Sequence, residues 1–159
     1  FEITLGCRLP EDYRRFLLEI GNGGLGPGLG LTPFGSESLI DPRIPVGALD
    51  KLNPFAPFVY REDWNLPALK TALEEQSENL DELQTYYFAT ERIDGSIRIA
   101  DLGCGAIALL VLNGPQRGRI WLDFRGTFGG ITPAAPADSA AETLSFLEWY
   151  EAWLDDESS

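Results

Sequence analysis

Apolar positions recur at helical spacing near both ends of the chain and with a period of two between them. Tyr13, Phe16, Leu17 and Ile20 fall at i, i+3, i+4 and i+7 behind Pro10, whose fixed φ suits the first helical position. Glu11 and Asp12 occupy the first turn, at the positive end of the helix dipole, and Gly21, Asn22, Gly23 and Gly24 stop the helix. Residues 21–30, GNGGLGPGLG, read as a turn-rich connection in which one stretch of backbone can lie close against another, followed by a short strand through Leu29, Leu31 and Phe34. Residues 35–66 scatter Leu39, Ile44, Leu49, Phe55, Phe58 and Trp64 without a sustained period, the pattern of a long loop wrapped over a core.

From Pro67 the leucines at 69, 73, 80 and 83 keep helical spacing, while Glu74, Glu75, Glu78, Asp81 and Glu82 fill the other side, predicting a helix with a solvated acidic face. The period then changes to two. Tyr86–Thr90, Ser96–Asp101, Ala106–Leu112 and Arg119–Phe124 predict an antiparallel meander with bends at Gly103-Cys104-Gly105 and at Asn113, Gly114, Pro115 and Gly118. In the last of these strands Ile120, Leu122 and Phe124 face one way, Trp121 and Asp123 the other. Beyond a loop from Pro133 to Ala137, Ser145 and Glu148 make a capping box for a final helix, with Ser139 and Glu142 the earlier alternative. Phe146, Leu147, Trp149, Tyr150, Trp153 and Leu154 give that helix a wide apolar stripe that has to be packed down.

A length of 159 residues suits one domain, taken as residues 1–159, with no repeat and no dividing linker. The chain holds 25 Asp and Glu against 12 Lys and Arg, a formal charge of −13. That balance argues against nucleic acid and anionic membranes as partners, because both recruit Lys and Arg. The seven acids from Asp138 onward meet no base. Histidine is absent, which removes Ser-His-Asp, Cys-His and HExxH chemistry. Cys7 and Cys104, the two cysteines, fit neither a disulfide framework nor a metal-ligand spacing, and read as small buried thiols in a reducing compartment. No apolar run approaches the ~20 residues of a membrane span, so a cytoplasmic location is expected. The chain opens at Phe1 and contains no Met, leaving room for an upstream segment or leader.

Candidate chemistry is sparse. Gly21, Gly23 and Gly26 match GxGxxG by spacing, but a helix precedes them where a dinucleotide site needs a strand. Cys104 between two glycines resembles a nucleophile on a sharp turn, yet without histidine the cramped β-bend is the better reading. Asp101 and Asp123 are the acid pair that a hydrolase could use, and with 25 acids such a pair is expected by chance. No cofactor or metal set emerges, and DxDxDG-like calcium spacing is absent. Among the tryptophans, Trp149 and Trp153 belong to the helix stripe. Trp121, beside Asp123, either supports the final helix on the second side of the sheet or is partly open to a partner.

Four stretches together are similar to one family: LPEDYRRFLLEIGNGG from Leu9, NPFAPFVYREDWN, GSIRIADLGCGAIALLVLNGPQRGRIWLDFRGTFGGITP, and SFLEWYEAWLDD. They resemble the SUKH superfamily, which includes fungal regulators of cell-wall synthesis and bacterial proteins encoded beside toxins. The most specific pieces are the Gly103-Cys104-Gly105 bend, the Asn113-Gly114-Pro115 turn leading to Trp121 and Asp123, and Glu148-Trp149-Tyr150. The chain departs from the family at Phe124, where many relatives carry a second acid. It also departs at Phe1 to Gly6, which look like the end of a longer first helix.

The resemblance implies an α+β domain with a mixed, largely antiparallel sheet packed by N-terminal and C-terminal helices. It also implies a non-catalytic protein-binding role without cofactor. An immunity protein that neutralises a cognate toxin, such as a nuclease, fits the acidity, since a basic toxin domain would be the partner. A regulatory or scaffold domain with no toxin partner is the alternative, and an acid-pair hydrolase the remote one. Trp64, Asp101, Trp121, Asp123 and Arg125 are the expected contact residues.

Overall fold

The computed structural model describes residue 2 and residues 8–34, 53–135 and 142–157. Phe1, residues 3–7 with Cys7, Leu39, Ile44, Leu49 and Ser139 lie outside the described residues. Among the described residues four strands form one sheet in the order β1-β2-β3-β4: β1 (Ser96–Gly103), β2 (Ala106–Val111), β3 (Ile120–Asp123) and β4 (Ile131–Pro133). Every pairing is antiparallel. Helices α1 (Glu11–Glu19), α2 (Pro67–Glu75), α3 (Leu80–Tyr87) and α4 (Phe146–Glu157) complete an α+β architecture. None of them is long and apolar enough to cross a membrane.

Both faces of the sheet are buried, which explains why β2 is apolar at every position. Ala108, Leu110 and Leu112 join Ile97, Ile99 and Ile120 on the face covered by α1 and α4. There Tyr13 and Phe16 meet Phe146 edge to face, with ring centroids 4.8 and 5.2 Å apart. Ile107, Leu109, Val111, Trp121 and Ile131 point the other way, into Phe58, Tyr60 and Ile93. A bulge between Arg98 and Ala100 inserts one residue in β1 and keeps Ile97, Ile99 and Ala100 in the first cluster.

The sheet edges are covered by backbone from elsewhere in the chain. The Gly-rich connection lies along β1: Leu29 and Thr32 donate N–H bonds to the carbonyls of Asp101 and Ile99 at 2.7 and 2.8 Å. Gly28, at φ +66°, sits where a Cβ would strike the backbone of Asp101 and Leu102. On the opposite edge Trp64 exchanges both backbone bonds with Ile131, each 2.8 Å. Pairing of this kind removes the exposed ladders through which edge strands aggregate.

The β1–β2 bend is a two-residue hairpin with Cys104 and Gly105 both at positive φ, 51° and 79°, as a type I′ turn requires. Cys104 is exposed at its tip rather than buried, because a hairpin end has no layer above it. The Ser145–Glu148 capping box is present: Ser145 N–H donates to Glu148 Oε2 at 2.7 Å and Glu148 N–H to Ser145 Oγ at 3.3 Å.

Three expected elements differ. The helix from Pro67 breaks at Gln76, whose φ of 52° turns the chain before α3 begins. Tyr86–Thr90 is the end of α3 and the start of a 3₁₀ turn, Thr90–Ile93, rather than a strand, because Tyr87 packs inward from a helix end. Leu147, Leu154 and Ile20 leave the stripes assigned to them, being 45, 42 and 73% exposed.

Candidate functional site

A dense network of hydrogen bonds holds the corner where β3 ends. The Arg125 backbone N–H and its Nε both donate to Asp123 Oδ1, at 2.9 and 3.0 Å, and Nη2 donates to Oδ2 at 2.8 Å. Nη1 reaches across to the carbonyls of Tyr87 and Ala89, 3.0 Å each. A helix end leaves such carbonyls unpaired, and a cation there is favoured by the dipole. The clasp therefore pins the end of α3 to the end of β3. Its two charged groups are buried, 0 and 2% exposed, a desolvation cost offset only because the fork geometry satisfies the donors so fully. Tyr87 extends the network by accepting the Gly130 N–H at 3.0 Å and donating to Asn65 Oδ1 at 3.1 Å, while Asn65 Nδ2 donates to the Phe128 carbonyl at 3.1 Å.

An aromatic ledge stands on this corner. Trp64 and Phe128 stack on Tyr87 with interplanar angles of 24° and 23°, and Phe88 meets it edge-on at 5.0 Å. The Arg92 guanidinium lies 4.0 Å above the Tyr86 ring and 5.6 Å from that of Trp64. Tyr86, Phe88 and Phe128 are 47, 39 and 41% exposed. Phe128 is held at φ 60°, a left-handed conformation that costs roughly 1–2 kcal/mol in a non-glycine residue. A cleft of about 480 Å³ opens beside it, lined by Asn65, Pro67, Lys70, Glu74, Tyr87 and Phe128. Glu74, Glu75, Glu78, Asp81 and Glu82 are all exposed on α2, α3 and their link, and Glu74 lines the cleft. Beneath it, burial pushes the Tyr60 hydroxyl's pKa up, while the neighbouring Arg92 charge pulls the other way. Among the described residues no group of three or more Asp, Glu and Cys side chains could hold a metal ion.

The model of the SMI1 / KNR4 family (SUKH-1) matches residues 1–145. This chain belongs to the SMI1 / KNR4 (SUKH-1) family. No curated protein and no solved structure gives a significant match. The family supports a non-enzymatic domain associated with protein interactions. The matched segment carries the whole sheet, the clasp and the ledge, and stops at Ser145, so α4 and its Glu148-Trp149-Tyr150 stretch lie past it.

Four of the five contact residues expected for this SUKH-1 domain converge on the ledge corner, but as its foundation. Trp121, Asp123 and Arg125 are buried and present no surface to a partner. The Trp121 ring is enclosed by Phe58 at 5.1 Å and Tyr60 at 6.2 Å, on the face opposite α4, which corrects both readings of it as a helix support and as a partly open residue. Trp64 is half-buried as the lower wall of the ledge. Asp101 stands apart at the β1 edge, bonded to Arg98 Nη2 at 2.7 Å and the Gly103 N–H at 2.8 Å. Ile107 pairs with both Asp101 and Asp123, so one strand, β2, lies between them. Each carboxylate is committed to its own arginine.

The exposed residues of the site, Tyr86, Phe88 and Phe128, were not singled out in the sequence. Phe128 had a signal: followed by Gly129-Gly130, it occupies a turn that a buried ring would not choose. A larger groove of about 830 Å³, near Arg61, Asp63, Arg119 and Glu142, has no exposed aromatic group. Arg119 there is engaged by the Thr143 carbonyl, Glu142 and Glu148 at 2.9, 3.3 and 3.5 Å.

Proposed function

We propose that this SUKH-1 domain is a cytoplasmic, non-catalytic immunity protein that neutralises a cognate toxin by binding it through the aromatic ledge. The observation that carries the reading is the exposed trio Tyr86, Phe88 and Phe128 on a clasped corner, at the end of a helix pair whose exposed side chains include five acids. Aromatic groups on a pre-organised support are what interface hot spots are made of, since they bury large area at small entropic cost. The acids select the partner. A toxin that attacks nucleic acid carries a basic substrate groove, and a domain of charge −13 would be steered onto it.

A neighbouring gene is expected to encode a toxin domain; co-expression with that domain should protect the cell, and purified complex should form with an association rate that falls as salt rises. Tyr86→Ala with Phe88→Ala should weaken binding by at least about tenfold, equivalent to roughly 1.4 kcal/mol. No protection and no complex would retire the immunity reading. Membership of the SMI1 / KNR4 family is equally compatible with the second reading, a regulatory or scaffold domain with no toxin partner.

A further inference from the structure

A second surface lies on the far side of the sheet from the ledge, where α1, α4 and the Gly-rich connection converge. Tyr150 joins the three: its ring meets Phe16 at 5.0 Å and Trp153 at 5.4 Å, and its hydroxyl donates to the Leu25 carbonyl at 3.1 Å. Around it Ile20, Leu25, Leu147 and Leu154 are 73, 84, 45 and 42% exposed. A shallow groove of about 180 Å³ runs between the helices, floored by Phe16 and walled by Ile20 and Leu147. Leu147 and Leu154 are seven residues apart on α4 and so share one face, roughly 10.5 Å along the axis.

The charge around this groove is predominantly negative. Helix α4 carries Glu148, Glu151, Asp155, Asp156 and Glu157 and no base. Asp12 and Glu19 line the α1 side, where Arg15, the one base in the groove, is paired with Glu19 at 3.5 Å. A second copy of this chain is a poor occupant, because it would bring its own α4 acids against these at a net charge of −13 per chain.

We infer that the α1–α4 groove docks a basic amphipathic helix of a protein partner, its apolar side chains one to two turns apart over Ile20, Leu147 and Leu154 and its Lys or Arg flanks against the α4 acids. Two helix walls and an apolar floor are the arrangement that helix-in-groove recognition uses. This surface is separate from the ledge, so it stands or falls independently of the toxin reading.

The test uses the full chain and a synthetic 18-residue helical peptide with Leu on one face and Lys on the other. Fluorescence anisotropy should show binding, and amide chemical shifts should move at residues 16–20 and 147–154. The same peptide with Glu for every Lys should not bind. Leu147→Asp adds negative charge, so an interaction that was electrostatic alone would tighten. The groove instead requires about a tenfold loss, with a matching loss for Ile20→Gln. Far-UV circular dichroism and the melting temperature establish that both variants remain folded, which their exposure favours. Shifts confined to Tyr86, Phe88 and Phe128, equal binding of the Glu peptide, undiminished binding to Leu147→Asp, or a dimer dissolved by Leu147→Asp would each overturn the proposal.

Discussion

Replacing Arg125 with methionine removes the clasp while keeping most of the side-chain volume. Four side-chain hydrogen bonds disappear: two to Asp123 and one each to the carbonyls of Tyr87 and Ala89. Asp123 stays buried and loses the Arg125 guanidinium without gaining water, while the backbone N–H of residue 125 remains. Breaking a buried pair on one side costs about 3–5 kcal/mol. The two carbonyls add to that cost only as far as water fails to reach them, and Ala89 is half-exposed. Against a total stability of about 5–15 kcal/mol this is a large share. In a chain of this length it corresponds to a fall in Tm of roughly 6–20 °C. Urea unfolding followed by tryptophan fluorescence measures it, with the m-value held constant as the check on two-state behaviour. Asp123→Asn combined with Arg125→Met removes the stranded charge, so the double variant should recover about 1–3 kcal/mol relative to the sum of the singles. A loss below about 1 kcal/mol for Arg125→Met, or strictly additive singles, would refute the clasp as described.

Three further outcomes are expected. Glu148 has its pKa lowered chiefly by the backbone N–H of Ser145, then by the Ser145 hydroxyl and the Arg119 charge. Its stabilising contribution is therefore complete above the unfolded glutamate value of about 4.3 and is lost as pH falls through the lower folded value, so melts of wild type and Glu148→Gln should converge in acid. If their difference persists unchanged at pH 3, the ionised cap is not responsible. Gly130 lies at φ +80° with its open side against the Trp64 carbonyl, so Gly130→Ala should cost more than about 2 kcal/mol and weaken the near-ultraviolet signal of Trp64. A neutral result would show that the Trp64–Ile131 pairing is adaptable. Cys104 occupies the first central position of a type I′ turn, where asparagine is preferred, so Cys104→Asn should raise stability by about 0.5–1 kcal/mol. The exposed wild-type thiol should react with Ellman's reagent without denaturant, and failure of either would contradict the hairpin geometry.

Local order was legible wherever one pattern had one physical cause. The α1 period, the strands at Ser96, Ala106 and Arg119, the Gly-Cys-Gly bend and the Ser145–Glu148 box all appear in the folded chain. Misreadings arose where tertiary contacts decided between two local options. Tyr86, Tyr87 and Phe88 have aromatic side chains that suit a strand, yet the clasp on the Tyr87 carbonyl and the stacking of Trp64 on its ring hold them at a helix end. Gln76 breaks the acidic helix without a glycine, so no residue type announced the break.

The largest error concerned which residues face outward, and it has a single origin. Trp121 and Asp123 alternate with Ile120 and Leu122, a pattern ordinarily produced by a sheet with one buried and one open face. Here the second face is covered by the segment holding Phe58, Tyr60 and Trp64, which reads as a loop wrapped over a core but has no period to show which face of the sheet it covers. Once that layer is in place, a polar side chain at position 123 needs an internal partner, and Arg125 supplies it from the next turn. The same bond that removes Asp123 and Arg125 from the surface fixes the end of α3, and with it the angle at which Tyr86 and Phe88 leave the molecule. The residues expected to meet a partner thus act one step earlier. They hold rigid the ledge that is proposed to meet it, and a rigid ledge loses less entropy on binding than a mobile one.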